Sequence, residues 1–270
     1  MIIFKSINKL NKEVNFKANI GFVPTMGSLH KGHISLIKSS NKLCNKTLVS
    51  IFVNPKQFNK KKDLIKYPRN LKKDIAILKK LKVDYLLSPS VNEVYKNKKN
   101  RKFKLKKNDK IMCALHRPGH FEGVLAVINQ FLQSFEPKII FFGEKDYQQL
   151  LLVKKYLKNN FKTKIFSCST IRDKYNIALS SRNILLKHDD LKNSSYIANL
   201  LLKFKNKLKK NINHKKHLNN IFFKINNVKN IKIEYLEIRN KNNFSNIYNR
   251  NNFKIFIAYY NKKVRLIDNY

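Results

Sequence analysis

Apolar residues along the chain follow two alternating patterns. Short apolar runs stand at residues 20–23, 48–53, 85–87, 138–142 and 164–168. Runs of this length bounded by polar residues predict buried strands. Between them lie stretches whose apolar residues recur at helical spacing. In 71–81 (LKKDIAILKKL), for example, Ile75, Leu78 and Leu81 share one face. Strand–helix alternation from residue 20 to about 173 predicts a parallel sheet with right-handed crossovers, a Rossmann-like α/β domain spanning 1–172. Ligands of such sheets bind at the carboxyl ends of the strands. After residue 183 the order changes: 192–210 and 217–227 read as helices, then 232–238, 253–259 and 263–267 as strands. That order predicts a smaller α+β domain over 173–270. The pattern holds no internal repeat.

Composition changes the picture in one respect. The 270 residues are 43% hydrophobic, with 19 Phe and 12 Tyr, which suits a packed globular chain. Yet 58 Lys and Arg against 16 Asp and Glu give a net charge of +42. Such a balance invites a nucleic-acid or anionic-membrane reading. Two features argue against it. The excess is mostly lysine spread along the whole chain, whereas arginine is the better residue for bidentate recognition of phosphate or guanine. It also coincides with abundant Asn and Ile, and all three residues have A/T-rich codons. We therefore expect no specific nucleic acid and no membrane as partner. The densest basic stretch, 96–110, reads as a solvated loop or hairpin. No apolar run approaches a membrane span, and residues 1–10 lack the apolar centre of a signal peptide. Cys44, Cys113 and Cys168 are widely spaced. They read as buried apolar side chains in a reducing cytoplasm.

The chemistry gathers at strand ends. The first predicted strand runs into Pro24-Thr25-Met26-Gly27-Ser28-Leu29-His30-Lys31-Gly32-His33. Histidines three apart share a helix face. A helix start with orphan N–H groups and two imidazoles makes an anion site suited to a nucleoside triphosphate. H-x-G-H alone equally describes two structural histidines near a helix end.

The wider string PTMGSLHKGHISLI resembles the ATP-binding signature of the pantothenate synthetases, within the H-x-G-H superfamily that includes nucleotidyltransferases. The resemblance continues through VSIFVNPKQF at 49–58, 67–90, RPGHFEGV at 117–124, FGEKDYQQL at 142–150, IRDKYNIALSSRN at 171–183 and RLID at 265–268. It implies that residues 26–33 bind ATP, with His33 the proton donor and His30 beside it at the phosphates. Gly143-Glu144-Lys145-Asp146 would form a second nucleotide contact, with Gly143 permitting close approach, Lys145 offsetting phosphate charge and Asp146 accepting from a ribose hydroxyl. Gln57 and Gln149 would hold pantoate; as isolated residues both would read as surface glutamines. The backbone of Ile171 would meet the adenine. Leu179-Ser180-Ser181-Arg182 would wrap the outer phosphates as the smaller domain closes.

The implied reaction is ATP-dependent condensation of pantoate with β-alanine through a pantoyl-adenylate, in a homodimer requiring Mg²⁺. Asp74 is either a metal-site residue, acting directly or through water, or a solvated helix residue. The chain departs from the family in having Lys73 where a second acid is common, and Tyr175-Asn176 where Asp-Gly is usual. Asn is the least costly substitute if the loop needs a positive φ. Another H-x-G-H enzyme, such as a cytidylyltransferase, should lack F-V-N-P-x-Q-F and D-Y-Q-Q, which are both present here.

Overall fold

The computed structural model describes residues 1–59, 61–96, 101–208 and 214–270. Its contacts divide the chain into two compact units, Met1–Ser169 and Thr170–Tyr270. The first is built on a six-stranded sheet of β1 (Ile2–Phe4), β2 (Ile20–Thr25), β3 (Lys46–Ile51), β4 (Tyr85–Leu87), β5 (Ile139–Gly143) and β6 (Lys164–Cys168). Every pairing is parallel, in the order β1-β4-β3-β2-β5-β6. The connections carry α1 (Ile7–Glu13), α2 (Lys31–Leu43), α3 (Lys61–Lys66), α4 (Leu71–Lys80), α5 (Val91–Tyr95), α6 (Cys113–His116), α7 (His120–Ser134) and α8 (Tyr147–Leu157). The sequence pattern did not show β1 or α7.

A parallel sheet is buried on both faces, so its strands carry near-continuous apolar residues. One cluster joins Val23, Val49, Leu86 and Phe141 of the strands to Leu36 and Ile37 of α2 and Leu78 of α4. Elsewhere in this unit Phe22 meets Phe131 and Phe135 edge-on at 5.7 and 5.1 Å. Cys44, Cys113 and Cys168 are free and buried, as expected of small apolar side chains. The central strand β2 has β3 on one side and β5 on the other. The chain leaves β2 toward β3 and later returns to the opposite side. This topological switch puts the carboxyl ends of β2 and β5 where open α/β sheets bind ligands.

Residues 101–110 of the basic stretch form a largely exposed loop, as expected, with one anchored end. Residues 97–100 lie outside the described residues, but Asp109 is buried and accepts from Lys155 Nζ (2.6 Å) and Tyr156 Oη (2.7 Å). A paired carboxylate thus ties that end of the stretch to α8.

The second unit holds α9 (His188–Leu208), α10 (His214–Asn226) and an antiparallel sheet in the order β7 (Ile231–Asn240), β8 (Phe253–Asn261), β9 (Val264–Asn269). Leu201, Phe204 and Leu208 of α9 pack with Ile255 and Ile257 of β8. Positions 209 and 210 of the expected long helix lie outside the described residues. Among the described residues no helix is long and apolar enough to cross a membrane.

Candidate active site

The H-x-G-H segment sits where β2 ends, and its geometry begins with two unusual residues. Gly27 has φ +77 and Ser28 φ +51, a left-handed pair that turns the chain sharply into α2. Asp74, in the first turn of α4, holds that turn. Its Oδ2 accepts from Ser28 N and its Oδ1 from Leu29 N, both at 2.8 Å. At 2% exposure it is not a solvated helix residue. Both oxygens serve backbone donors, which makes Asp74 a loop clamp. Among the described residues no group of three His, Cys, Asp or Glu side chains is placed to hold a metal ion.

Asp74→Asn tests the clamp. The amide would set an N–H against one backbone N–H and leave a buried donor unsatisfied, at a cost of about 1–3 kcal/mol. The melting temperature should fall by several degrees. An unchanged thermal transition would show that the carboxylate does not hold the turn.

His30 is the N-cap of α2 and lies outside its first turn. Its Nδ1 accepts from Gly32 N (3.1 Å), while His33 Nδ1 accepts from His30 N (3.4 Å). The two imidazoles thus form a reciprocal capping box. The anion site therefore differs from the one expected. The backbone N–H groups of Ser28, Leu29, His30 and Gly32 already have partners within the chain. In exchange, both neutral rings are fixed in the tautomer that carries hydrogen on Nε2. Their centroids are 4.1 Å apart.

Burial, and then the Lys145 ammonium, lower the pKa of His30 to about 4. Burial, and then the neighbouring His30 ring, lower that of His33 to about 3. Both rings are neutral at ordinary pH and carry an N–H at Nε2. Met26 and Leu29 complete the turn, and Lys31, the first residue of α2, is exposed.

Gly143 ends β5, and residues 144–146 form a 3₁₀ turn into α8. Gly143 has extended backbone, and a side chain there would meet no described atom within 4 Å, so the chain itself does not require glycine. Lys145 Nζ donates to Asp146 Oδ1 at 3.0 Å. Burial pushes the Asp146 pKa up, but the charge and hydrogen bond of Lys145, with smaller contributions from neighbouring groups, together hold the carboxyl below its usual value. The His30 and His33 rings both feel the charges of Lys145 and Asp146, so the segments after β2 and β5 share one electrostatic environment.

Gln57 closes the 3₁₀ turn after β3 and is buried; Gln149 lies in the first turn of α8, half-buried. Neither side-chain amide is engaged by another described residue. Its neighbour Gln148 is different: Nε2 donates to Ile111 O (2.8 Å) and Oε1 accepts from Cys113 N (3.1 Å). Of the two adjacent glutamines, one is structural and the other is available to a ligand.

The remaining expected residues belong to the second unit. Leu179 N donates to Ile171 O (3.0 Å), closing a small hairpin whose tip holds Asn176 at φ +66. Asparagine therefore takes the left-handed position expected from the departure at 175–176. Ser180 caps the 3₁₀ turn 181–185 by accepting from Arg182 N (3.3 Å), and Ser181 is buried. The sequence reading missed the anchor of this hairpin, although RLID contained half of it. Arg172 donates to both oxygens of Asp268 (2.6 and 2.9 Å), to Asn176 O and to Asn269 O. Its guanidinium also lies 4.4 Å from the Tyr270 ring centroid.

Comparison with known proteins finds relatives over the whole length of the chain. Residues 2–270 match the family described as Pantoate-beta-alanine ligase. A pantothenate synthetase of Clostridium botulinum is 37% identical over 98% of this chain and 95% of its own. One from Francisella tularensis subsp. mediasiatica is 38% identical over 98% and 94%. The crystal structure of pantothenate synthetase from Thermus thermophilus superposes with a TM-score of 0.93 at 29% identity, covering 100% and 99% of the two chains. That of the Francisella tularensis pantoate-beta-alanine ligase, complexed with beta-gamma ATP and beta-alanine, gives 0.82 at 36% identity, covering 100% and 97%.

Proposed function

The chain belongs to the pantoate-beta-alanine ligase family, and on that premise we propose that it condenses pantoate with β-alanine at the expense of ATP. The reaction proceeds through a pantoyl-adenylate. The pantoate carboxylate attacks the α-phosphorus in line and expels pyrophosphate. The β-alanine amine then attacks the acyl carbon of the adenylate and releases AMP. No protein nucleophile is required, because the nucleotide supplies the leaving group. The enzyme's contribution is orientation and charge stabilisation.

The observation that carries this reading is the pair of Nε2–H donors fixed by their own backbone at the end of β2, beside Lys145 from the end of β5. Donors that need no reorganisation stabilise charge developing on phosphate oxygens. Lys145 adds a cation. Gln57 and Gln149 offer donors and acceptors without charge, which suits a substrate bearing hydroxyls and a carboxylate. Ser180, Ser181, Arg182 and the Ile171 backbone keep the nucleotide-contacting roles that their motif implies. The Mg²⁺ implied by the family is read as a companion of the triphosphate, whose charge it would offset. A homodimer in the cytoplasm stays part of the same reading.

The test is direct. The protein supplied with ATP, pantoate and β-alanine should form AMP and pantothenate in equal amounts; ADP as product would exclude the adenylate route. Gln149→Ala should raise the KM for pantoate by about tenfold or more, since a buried polar ligand loses its partner. The KM for ATP should stay within about twofold. A larger effect on ATP than on pantoate would remove Gln149 from the acid site.

A further inference from the structure

Two motifs that stand far apart in sequence, N-P-K-Q at 54–57 and R-P-G-H-F-E-G at 117–123, meet as one clamp. Asn54 Nδ2 donates to Gly123 O (3.1 Å), and Asn59 Nδ2 donates to Pro118 O. Gly123 is required by the contact itself, because a Cβ there would sit 2.2 Å from Lys56 O and 3.1 Å from Gln57 N. The start of α7 therefore lies directly against the backbone of the turn that presents Gln57.

At the centre of the clamp is His120. Its Nδ1 lies 2.7 Å from the Gln57 carbonyl oxygen, and its Nε2 lies 2.9 Å from Arg117 Nη1. A carbonyl can only accept and a guanidinium can only donate. The ring is thereby confined to its neutral form with hydrogen on Nδ1. Arg117 Nη2 reaches the same carbonyl at 3.3 Å. An electrostatic interaction links the His120 ring to Asp146, in the segment after β5 that carries the nucleotide contacts.

We propose that His120 is a positioning residue for the acid substrate. By donating from Nδ1 to the Gln57 carbonyl, with Arg117 fixing its tautomer, it sets the direction in which the Gln57 amide projects. The inference rests on the reading of Gln57 as a pantoate ligand. It assigns His120 no contact with substrate and no proton transfer.

Two substitutions of similar size separate the two ring nitrogens. In His120→Asn the side-chain amide stands at the Nδ1 position and can still donate to the Gln57 carbonyl. In His120→Gln the amide stands at the Nε2 position, keeping Arg117 and losing Gln57. Steady-state kinetics should give a pantoate KM within about threefold of the parent for the Asn variant and raised about tenfold for the Gln variant. The KM for ATP should stay within about twofold in both. A merely structural role in α7 would lower the melting temperature and disturb pantoate and ATP use alike.

Gln57→Ala, measured in parallel, tells the two readings apart. If it raises the pantoate KM while Asn and Gln at 120 behave the same, the positioning role of His120 is wrong and the pantoate site stands. If Gln57→Ala leaves the pantoate KM within about twofold, the site assignment is wrong and the role of His120 falls with it.

Discussion

Replacing His33 by alanine is expected to lower kcat by about 10²–10³, the usual loss for one preorganised donor at a centre of developing charge. The fold should survive. The backbone N–H of His30 loses its acceptor, but that contact is long, at 3.4 Å, and only part-buried.

The structure also decides what kind of donor is lost. With Nδ1 engaged and a pKa lowered to about 3, first by burial and then by the His30 ring, the imidazole is neutral and offers an N–H. The sequence reading gave His33 the part of proton donor; the geometry favours a hydrogen-bond donor. The two parts differ in their consequences. Glutamine can place an amide N–H at the Nε2 position, so His33→Gln should recover much of the rate lost in His33→Ala. If a proton were transferred, glutamine would be as poor as alanine. In kcat/KM, which reports free-enzyme groups, neither histidine should produce a limb between about pH 5 and pH 8.

Stability follows the same sign. An unfolded histidine titrates near pH 6.5 and binds protons that the folded rings refuse. The contribution of His30 and His33 to stability is therefore complete above about pH 6.5. It is lost progressively as pH falls toward their folded values of about 4 and about 3. An alanine variant within about threefold of the parent in kcat would take His33 out of the mechanism.

What could be read from the sequence divides along a physical line. Strands such as Ile139–Gly143 announce themselves because both sheet faces are covered and their residues are apolar in succession. The motifs fall at strand ends because that is where loops leave a parallel sheet, so their order along the chain already located the site. Asp74 could not be read this way. Its partners Ser28 and Leu29 stand 46 and 45 residues earlier, and a carboxylate in a first helical turn ordinarily faces water. The capping role of His30 was hidden because N-caps are normally Ser, Thr, Asp or Asn. Helix α7 buries Phe121, Val124, Leu125, Val127, Ile128 and Phe131 together with Asn129 and Gln130, leaving little contrast between its faces. Strand β1 has three residues at a sheet edge, with Ile2 and Ile3 exposed, too short to show a period. His120 lies against a backbone carbonyl, which leaves no mark on residue identity, and Arg172 pairs with a carboxylate 96 residues away, Asp268.

Labelled pyrophosphate should exchange into ATP when pantoate is present and β-alanine is absent, and exchange should vanish when pantoate is withheld. The expectation follows from which residues the fold gathers in its first unit. His30, His33 and Lys145 lie at the ends of β2 and β5, where the triphosphate is read to bind. Gln57, at the end of the turn after β3, and Gln149, in the first turn of α8, are the residues read as the acid's ligands. These five residues, all in the first unit, are thus in place before an amine arrives. The first displacement and its reversal can then cycle alone, and that cycle is what exchange measures. A nucleotidyltransferase built on a similar sheet would not depend on pantoate, and a ligase forming an acyl-phosphate would release ADP without pyrophosphate exchange. The His33→Ala variant should slow exchange by about the factor it costs in kcat, because its donor acts on phosphate charge in the first step. Exchange that starts only when β-alanine is added would mean that the amine helps to build the site, and the freestanding adenylate step would have to be given up.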